Sequence, residues 1–437
     1  MRGGDSDMSH AWRALKHRNF RLFFGGQSIS LIGTWMTRVA TAWLVYRLTK
    51  SSLLLGVVGF AGQIPTFLIA PFAGVIVDRM DRRLVLVWTQ ALAMLQSLLL
   101  AWLTLTHRIT IGEILALSAF QGLINAFDMP GRQSFMIRMV EKREDLSNGI
   151  AINSSMVNLA RLIGPSLAGL VIAATSEGWC FLVDGVSYIA VIASLLMMRL
   201  APEPKQIAAG MVEQLRQGWD YVAESRPIRS ILLLFAVVSL MGWPFTVLMP
   251  VFAAQVLGGG PHTLGFLMGA LGVGALASAL VLVVRRTVRG MLKIIPIGAT
   301  VFGCGLIAFG LSINLWLSMA MMLVTGFGMM QGLTTSNTIL QTLVDEKMRG
   351  RVMSYYTMAF VGMAPFGSLL AGAMAHALGA PRTVVISGVA CIAGGLMFFS
   401  RVTAIRNDMR PIYERLGIVP PREVALPETL VEDIAES

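Results

Sequence analysis

The sequence predicts an all-α membrane protein with twelve transmembrane helices, organised as two parallel repeats of six helices. Three observations lead to this fold class. The composition is extreme, because 55% of the 437 residues are hydrophobic and 14% are charged, against roughly a quarter charged in soluble domains. Apolar runs of membrane-spanning length recur along the chain, and short motifs of the first half return in the second.

The apolar runs define the individual helices. A hydrocarbon core of about 30 Å requires about 20 apolar residues in a helix, and these runs are too long for the strands of a membrane barrel. We expect spans near residues 21–47, 53–76, 84–106, 112–137, 147–175, 179–198, 228–254, 263–284, 292–312, 315–342, 352–377 and 383–402. The first run is long and is followed by no small-residue cleavage site, so no removable signal peptide is predicted.

The cations are distributed unevenly between the two ends of the spans. A net charge of +11 suggests nucleic-acid binding in a soluble chain, but here the positions of the charges are more informative than their sum. Lys and Arg concentrate in the tails and in the even-numbered connections, and the other face holds only Arg47, Lys50, Arg108 and Arg382. The positive-inside rule therefore predicts that both termini are cytoplasmic, and no nucleic-acid partner is expected.

The connection between spans six and seven predicts a helix at the membrane surface. Apolar residues occur there at helical spacing among charged ones, namely Ile207, Met211, Leu215, Trp219 and Val222, which is typical of an amphipathic interfacial helix. We therefore expect a cytoplasmic tail over residues 1–19, a six-helix bundle over 20–198, a linker over 199–227, a second bundle over 228–402, and a mobile cytoplasmic tail over 403–437.

The two halves repeat each other in sequence. Gln121-Gly122-Leu123 in span four returns as Gln331-Gly332-Leu333 in span ten, and GPSLAG, which begins at Gly164, returns as GSLLAG, which begins at Gly367. The order of the matches is preserved. Two parallel six-span repeats are typical of transporters that rock around a substrate site between the halves, near the middle of the membrane.

The loop after span two carries a family resemblance. It resembles the major facilitator superfamily signature G-x-x-x-D-R-x-G-R-R, with Gly74, Asp78, Arg79, Arg82 and Arg83 in place and Asp81 where the second glycine is expected. Asp tolerates turn geometry, so the turn is retained. The segment NLARLIGPSLAG resembles the G-P-x-x-x-G element of antiporter members, with Gly164, Pro165 and Gly169. Spans one to six are similar to the branch that contains the enterobactin exporter and macrolide-efflux proteins.

The resemblance implies that this loop is an inner latch of the transport cycle. Gly74 then lets spans two and eleven approach closely, and Asp78 holds cationic partners and a helix N-terminus in the outward-facing state. We expect Arg132, at the cytoplasmic end of span four, to be one such partner. The alternative is that the loop cations only set topology, although the positive-inside rule gives Asp78 no role.

Charged residues inside the predicted spans are candidates for function, because each costs at least roughly 2.5 kcal/mol to insert. Arg38, Arg161 and Asp184 are predicted to be deep, and Asp184 is expected to pair with one of the two arginines and to take part in proton coupling. Asp128 and Arg132 are one helical turn apart, so they are either a neutralising pair or a second proton-coupling group.

Polar side chains within the spans are candidates for a substrate cavity. They are Gln27, Thr34, Gln63, Gln121, Asn125, Asn153, Asn158, Gln331 and Asn337. The alternative is that many of them form interhelical hydrogen bonds that hold the bundle together.

The sequence shows no phosphate-binding loop and no nucleophile–base constellation, so we expect a transporter without enzymatic activity, cofactor or metal. The leading hypothesis is a proton-coupled exporter of small amphipathic molecules, drugs or siderophore-like compounds, that works by alternating access as a monomer in the bacterial inner membrane. Its partners are then the substrate, protons and membrane lipids. A lysophospholipid facilitator of the same fold and a non-transporting scaffold or receptor are the alternatives.

Overall fold

The computed structural model describes residues 13–139, 143–199, 211–284, 290–346 and 348–419, and the regular structure in these ranges is entirely helical. The helices are α1 (Arg18–Thr49), α2 (Ser52–Arg79), α3 (Arg82–Leu105), α4 (Ile111–Met139), α5 (Leu146–Ala174), α6 (Glu177–Met197), α7 (Met211–Glu224), α8 (Arg226–Val256), α9 (Pro261–Val284), α10 (Ile294–Leu311), α11 (Leu315–Leu343), α12 (Arg349–Leu378) and α13 (Ala380–Arg415). Short 3₁₀ turns lie at Arg13–Lys16, Arg143–Asp145 and Met291–Lys293.

Twelve of these helices are long enough to cross a membrane, which confirms the predicted fold class. Ten described helices are also apolar enough by composition alone. The other two, α1 and α4, contain 32 and 29 residues. Helix α1 contains Arg38 and α4 contains Asp128 and Arg132, and such charged side chains lower the hydropathy of these helices. The spans divide into a first half, α1–α6, and a second half, α8–α13, with α7 between them.

Prolines explain the two irregular spans. In α8 the α-helix stops at Val237, and two π-turns flank a 3₁₀ segment that contains Pro244. In α12 the helix breaks after Phe360 and restarts at Ala364, directly before Pro365. Proline lacks a backbone N–H and collides with the preceding turn, so each proline interrupts the regular ladder.

The sequence repeat is also a repeat of contacts. In α5, a Cβ added at Gly164 would lie 2.5 Å from the Cβ of Trp35 in α1. In α12, a Cβ added at Gly367 would lie 2.5 Å from the carbonyl oxygen of Leu240 in α8. Each glycine therefore lets the fifth span of its half pack closely against the first span of that half.

The last glycines of the same motifs pack against the opposite half. A Cβ added at Gly169 in α5 would lie 2.9 Å from the Cα of Gly265 in α9. A Cβ added at Gly372 in α12 would lie 2.8 Å from the Cα of Gly56 in α2. We call these the α5–α9 seam and the α2–α12 seam. Both glycine pairs lie toward the face opposite the chain termini, so the halves are in close contact at that face.

The seams extend inward only to about the middle of the helices. On one side, a Cβ added at Gly272 would meet the Cα of Leu162 at 2.9 Å. On the other, the rings of Phe67 and Phe366 are 5.7 Å apart. The first part of α12, Arg349–Phe360, packs mainly against α7 and α8. The space between the halves therefore widens toward the face at which α1 begins and α13 ends, which we call the terminal face.

The terminal face is organised by α7 and by the end of α13. The predicted amphipathic helix is present as Met211–Glu224, and its Trp219 ring lies 5.9 Å from the ring of Tyr355 in α12; Ile207 lies outside the described residues. Helix α13 continues to Arg415, although the sequence predicted a mobile tail from residue 403. Ile405 and Met409, one turn apart, are buried in the second half, which explains the longer helix.

The glycine contact at the α2–α12 seam yields a prediction. In Gly56→Leu the new side chain meets the carbonyl of Ser368, so we expect the seam to separate, at a cost of about 1–3 kcal/mol. Spin labels at Thr110 and Ile313, exposed on loops of the two halves at the closed face, should move apart in pulsed electron paramagnetic resonance.

Gly25→Leu is the matched control, because a Cβ at Gly25 meets nothing within 4 Å. The distance distribution should be unchanged in this control. Identical distributions for Gly56→Leu and Gly25→Leu would show that the seam does not hold the halves together.

Candidate substrate and proton site

Asp184 in α6 is a buried carboxylate held by hydroxyl groups. Its side chain is 1% exposed. Thr37 of α1 and Ser97 of α3 each donate a hydrogen bond of 2.9 Å to Oδ2, and Thr34 of α1 lies 3.4 Å from Oδ1. Asp184 therefore connects three spans of the first half through polar contacts.

Small residues permit this arrangement. A Cβ added at Gly33 in α1 would lie 2.9 Å from both the Cα and Oδ1 of Asp184. A Cβ at Gly26 would lie 2.4 Å from the Oγ of Ser194, two turns further along the same interface. Glycine at these positions brings α1 and α6 together closely enough for the Thr37 hydroxyl to reach the carboxylate.

The chemistry of hydroxyl partners differs from that of a cation. A hydroxyl donates to an ionised carboxylate and accepts from a protonated one, so it satisfies both states. An arginine only donates, so it favours the ionised state. Within the described ranges, Asp184 makes no ion pair. Its surroundings can therefore accommodate Asp184 with or without a proton.

Asp128 in α4 has the opposite environment. Arg132, one turn further along the helix, forms an ion pair with it, and Thr89 and Gln90 of α3 donate hydrogen bonds of 3.0 and 2.7 Å to its Oδ1. This neutralising pair was one of the two expectations for these residues. Asp128 therefore has a cation and two further hydrogen-bond donors as partners, whereas Asp184 has hydroxyls.

Arg38 and Arg161 do not reach Asp184, which differs from the expected interior ion pair. Their Cζ atoms lie over the ring of Trp35, at 4.7 Å and 5.3 Å from its centroid. The reason is geometric, because Trp35 follows Thr34 on α1 and places its ring between the arginines of α1 and α5. The Arg38 side chain is exposed, even though its helix, α1, is packed among five other spans. We conclude that it lines the space between the halves.

The latch residues are only partly described. The Asp78 side chain lies outside the described residues, and Arg79 is exposed. Arg83 donates to the carbonyl of Leu196 at the end of α6, and Arg82 is half-buried. A Cβ added at Gly74 meets no described residue within 4 Å, so the close approach expected there is not seen in the described part of the chain. Arg132 forms an ion pair with Asp128.

The predicted cavity residues differ in burial and in their hydrogen-bond partners. Several form interhelical or local hydrogen bonds: Thr34 as described, Gln63 with Ser368 across the α2–α12 seam at 3.4 Å, Gln121 with Asn125 at 3.2 Å, and Asn337 with Gln341 at 2.8 Å. Gln27 is buried, Asn153 and Asn158 are half-buried, and the buried Oε1 atoms of Gln121 and Gln331 have no partner.

Sequence reasoning missed Trp35, Thr37 and Ser97. Trp35 and Arg38 are three residues apart on a helix, which places them on neighbouring positions of one face, so the Trp-x-x-Arg spacing was an available signal. The two hydroxyls had no signal, because Ser and Thr are common in spans, where they hydrogen-bond to backbone carbonyls. The packing of α3 against α6 alone identifies Ser97 as a partner of Asp184.

Comparison with known proteins places this geometry in a family. A family model described as a transmembrane secretion effector matches residues 9–425. The Staphyloferrin A transporter of Staphylococcus aureus is 26% identical over 382 residues, which cover 87% of this chain and 95% of the relative. The multidrug efflux pump Tap of Mycolicibacterium fortuitum is 24% identical, with 87% and 95% covered. Macrolide efflux protein A of Streptococcus pyogenes is 19% identical, with 86% and 96% covered.

Solved structures share the fold. A bacterial homologue of the human lysosomal transporter Spinster, described as inward-facing and occupied, superposes with a TM-score of 0.71 at 14% identity, covering 90% of this chain and 98% of the other. A POT family transporter in complex with 5-aminolevulinic acid gives a TM-score of 0.72 at 11% identity, covering 89% and 96%. With its twelve spans, its repeated halves and a family match along nearly its whole length, the chain belongs to the transmembrane secretion effector family, as a multi-pass secondary transporter of the major facilitator type.

Proposed function

We propose that this protein exports a small amphipathic molecule of the drug or siderophore class from bacteria, in exchange for protons and by alternating access. Relatives that match along most of the chain support the substrate class, because their names describe siderophore transport, multidrug efflux and macrolide efflux. The observation that carries proton exchange is the buried Asp184, held by hydroxyls and by no cation of the described residues.

The orientation of the chain follows from its charges. The terminal face carries most of the Lys and Arg residues of the connections and tails, so we assign it to the cytoplasm. The face closed by the α2–α12 and α5–α9 seams is then external, and the conformation described above faces inward. A single chain contains both halves, so a monomer in the bacterial inner membrane, surrounded by lipid, suffices for the cycle.

Protonation of Asp184 offers a direct route to a change in α1. When the carboxylate is ionised, Thr37 and Ser97 both donate to it. When it is protonated, its O–H donates to one of the surrounding hydroxyls, which alters the contact between α1 and α6. Helix α1 also carries Trp35 and Arg38 toward the space between the halves. We propose that this helix transmits the proton state to the substrate site.

The available driving force is adequate for export. One proton that moves down the membrane potential supplies roughly 2.3 kcal/mol per 100 mV, about a fortyfold gradient of a neutral substrate for one-to-one exchange. The two halves, residues 20–198 and 228–402, then rock as bodies joined by the linker of residues 199–227. The seam glycines Gly169 and Gly372 lie where the bodies separate in the outward-facing state.

We also propose that the loop from Gly74 to Arg83 closes the terminal face in the outward-facing state. The resemblance to the superfamily signature supports this role. The open surroundings of Gly74 are consistent with a contact that is absent while the protein faces inward. Asp81 has a separate local role, because its Oδ1 accepts a hydrogen bond of 2.9 Å from the backbone N–H of Arg83 and caps α3.

The first functional prediction concerns Asp184→Asn. Asn still hydrogen-bonds to Thr37 and Ser97 but cannot carry a proton, so the roughly fortyfold gradient should collapse toward equality while downhill exchange continues. Everted vesicles acidified inside, with a macrolide or a siderophore added outside, provide the measurement. Asp220→Asn, at an exposed position on α7, is the matched control and should accumulate substrate as the wild type does.

Two outcomes would contradict this prediction. Equal loss of uphill transport and downhill exchange, with lower thermal stability, would identify Asp184 as a structural residue. Accumulation that survives a protonophore, or flux of lysophospholipid without any gradient, would replace proton antiport by lipid facilitation.

The second functional prediction concerns the latch. Asp78→Asn removes a charge from the terminal-face contact, so the outward-facing population should fall by roughly tenfold or more, because hydrogen bonds to charged groups contribute about 1.5–3 kcal/mol. Distances between spin labels across the terminal face report that population. Asp81→Asn is the control with the same change of charge and should leave that population unchanged. An outward-facing population in Asp78→Asn equal to that of the wild type and of this control would show that the loop only sets topology.

A further inference from the structure

Two arginines share one aromatic ring inside the first half, and neither has an anionic partner among the described residues. The Cζ atoms of Arg38 and Arg161 lie 4.7 Å and 5.3 Å from the centroid of the Trp35 ring. The Nε of Arg161 is buried and has no hydrogen-bond partner among the described residues. Cation–π contact stabilises each guanidinium, but the ring is neutral, and neither arginine forms an ion pair with a described residue.

The carboxylates of the surrounding spans are already engaged. Asp184 accepts from Thr37 and Ser97, as described above, and Asp128 is paired with Arg132. Glu177, at the start of α6, accepts two hydrogen bonds from Arg47, of 2.7 and 3.1 Å. No described acid therefore forms an ion pair with Arg38 or Arg161, although charges at this depth are costly without a close counter-ion.

The geometry is suited to an anion that enters from the space between the halves. A guanidinium group is planar and can donate two parallel hydrogen bonds to the two oxygens of one carboxylate, like a fork with two prongs. The ring of Trp35 holds two such forks in place, so little side-chain freedom is lost when a ligand binds. Arg38 is exposed to the space between the halves, and the partnerless Nε of Arg161 is the buried donor beside it.

We propose that Trp35, Arg38 and Arg161 form a recognition site for a carboxylate group, and that the transported substrate is an amphipathic anion. This inference rests on the proposed export function. It adds a consequence for energetics, because the exit of a monovalent anion and the entry of a proton both move positive charge inward. The membrane potential then drives two charges per cycle, and export responds to the potential even without a pH gradient.

A matched ligand series tests the site. Pyrenebutyrate, pyrenebutanol and pyrenebutylamine share one aromatic body and differ in the charge of the head group. Binding to the full-length protein in lipid nanodiscs is measured by energy transfer from tryptophan to pyrene, with empty nanodiscs as the reference for partitioning into lipid. We expect the carboxylate to bind roughly tenfold or more tightly than the alcohol, as two charge-assisted contacts imply, and the amine to bind least.

Substitutions then test whether Arg38 and Arg161 cause the preference for the carboxylate ligand. Arg161→Gln and Arg38→Gln should each remove most of the preference for the carboxylate and leave affinity for the alcohol unchanged. Arg161→Lys retains the charge without the fork, so it should give an intermediate preference even if the Gln variant fails to fold. Arg108→Gln, in the exposed loop between α3 and α4, is the control with the same change of charge and should behave as the wild type.

Equal binding of the three ligands, or a preference that survives both Gln substitutions, would overturn the carboxylate site. Export of pyrenebutylamine that depends on Asp184 but not on Arg161 would also overturn it, while leaving proton-coupled export intact. Arginine-dependent binding of pyrenebutyrate without proton-dependent transport would support the site and contradict the proposed export function instead.

Discussion

The hydrogen-bonded contact of Asp184 with hydroxyls of α1 and α3 is the interaction on which the first half depends. A carboxylate that is 1% exposed within a membrane bundle requires internal partners, because lipid provides none. The glycines of α1 that face α6 are placed so that this contact can form, and Gly33 in particular leaves no space for a side chain. Helix α1 is thereby fixed against α6 in a register that also directs Trp35 and Arg38 toward the space between the halves.

The charges of the first half are separated by role. Asp128 is neutralised by Arg132 next to the terminal face, and Glu177 by Arg47 at the opposite face. At mid-depth the acid and the bases remain apart, with Asp184 among hydroxyls and the two arginines on an aromatic ring. We propose that this separation lets one site carry a proton and the neighbouring site carry an anion, while the glycine seams allow the halves to close and open around them.

The sequence predicted the fold far better than the site. Hydropathy and charge bias report the twelve spans because a membrane imposes length and polarity on each segment separately, and the Gly164 and Gly367 motifs revealed the repeat. Contacts between segments leave little trace in one sequence. The expected pair of Asp184 with an arginine was wrong for this conformation, because both guanidinium groups pack against the ring of Trp35. The extension of α13 was missed because its apolar residues are interleaved with charged ones.

Infrared difference spectroscopy of the Asp184 side chain tests the central claim most directly. The purified protein in lipid nanodiscs is compared with Asp184→Asn as the pH is lowered and as a transported compound is added. The account predicts a carbonyl band of a protonated carboxyl group that grows on acidification, changes on substrate addition, and is absent from the Asn variant. A spectrum in which the two proteins show the same carboxyl bands under every condition would contradict it, because Asp184 would then keep one protonation state throughout.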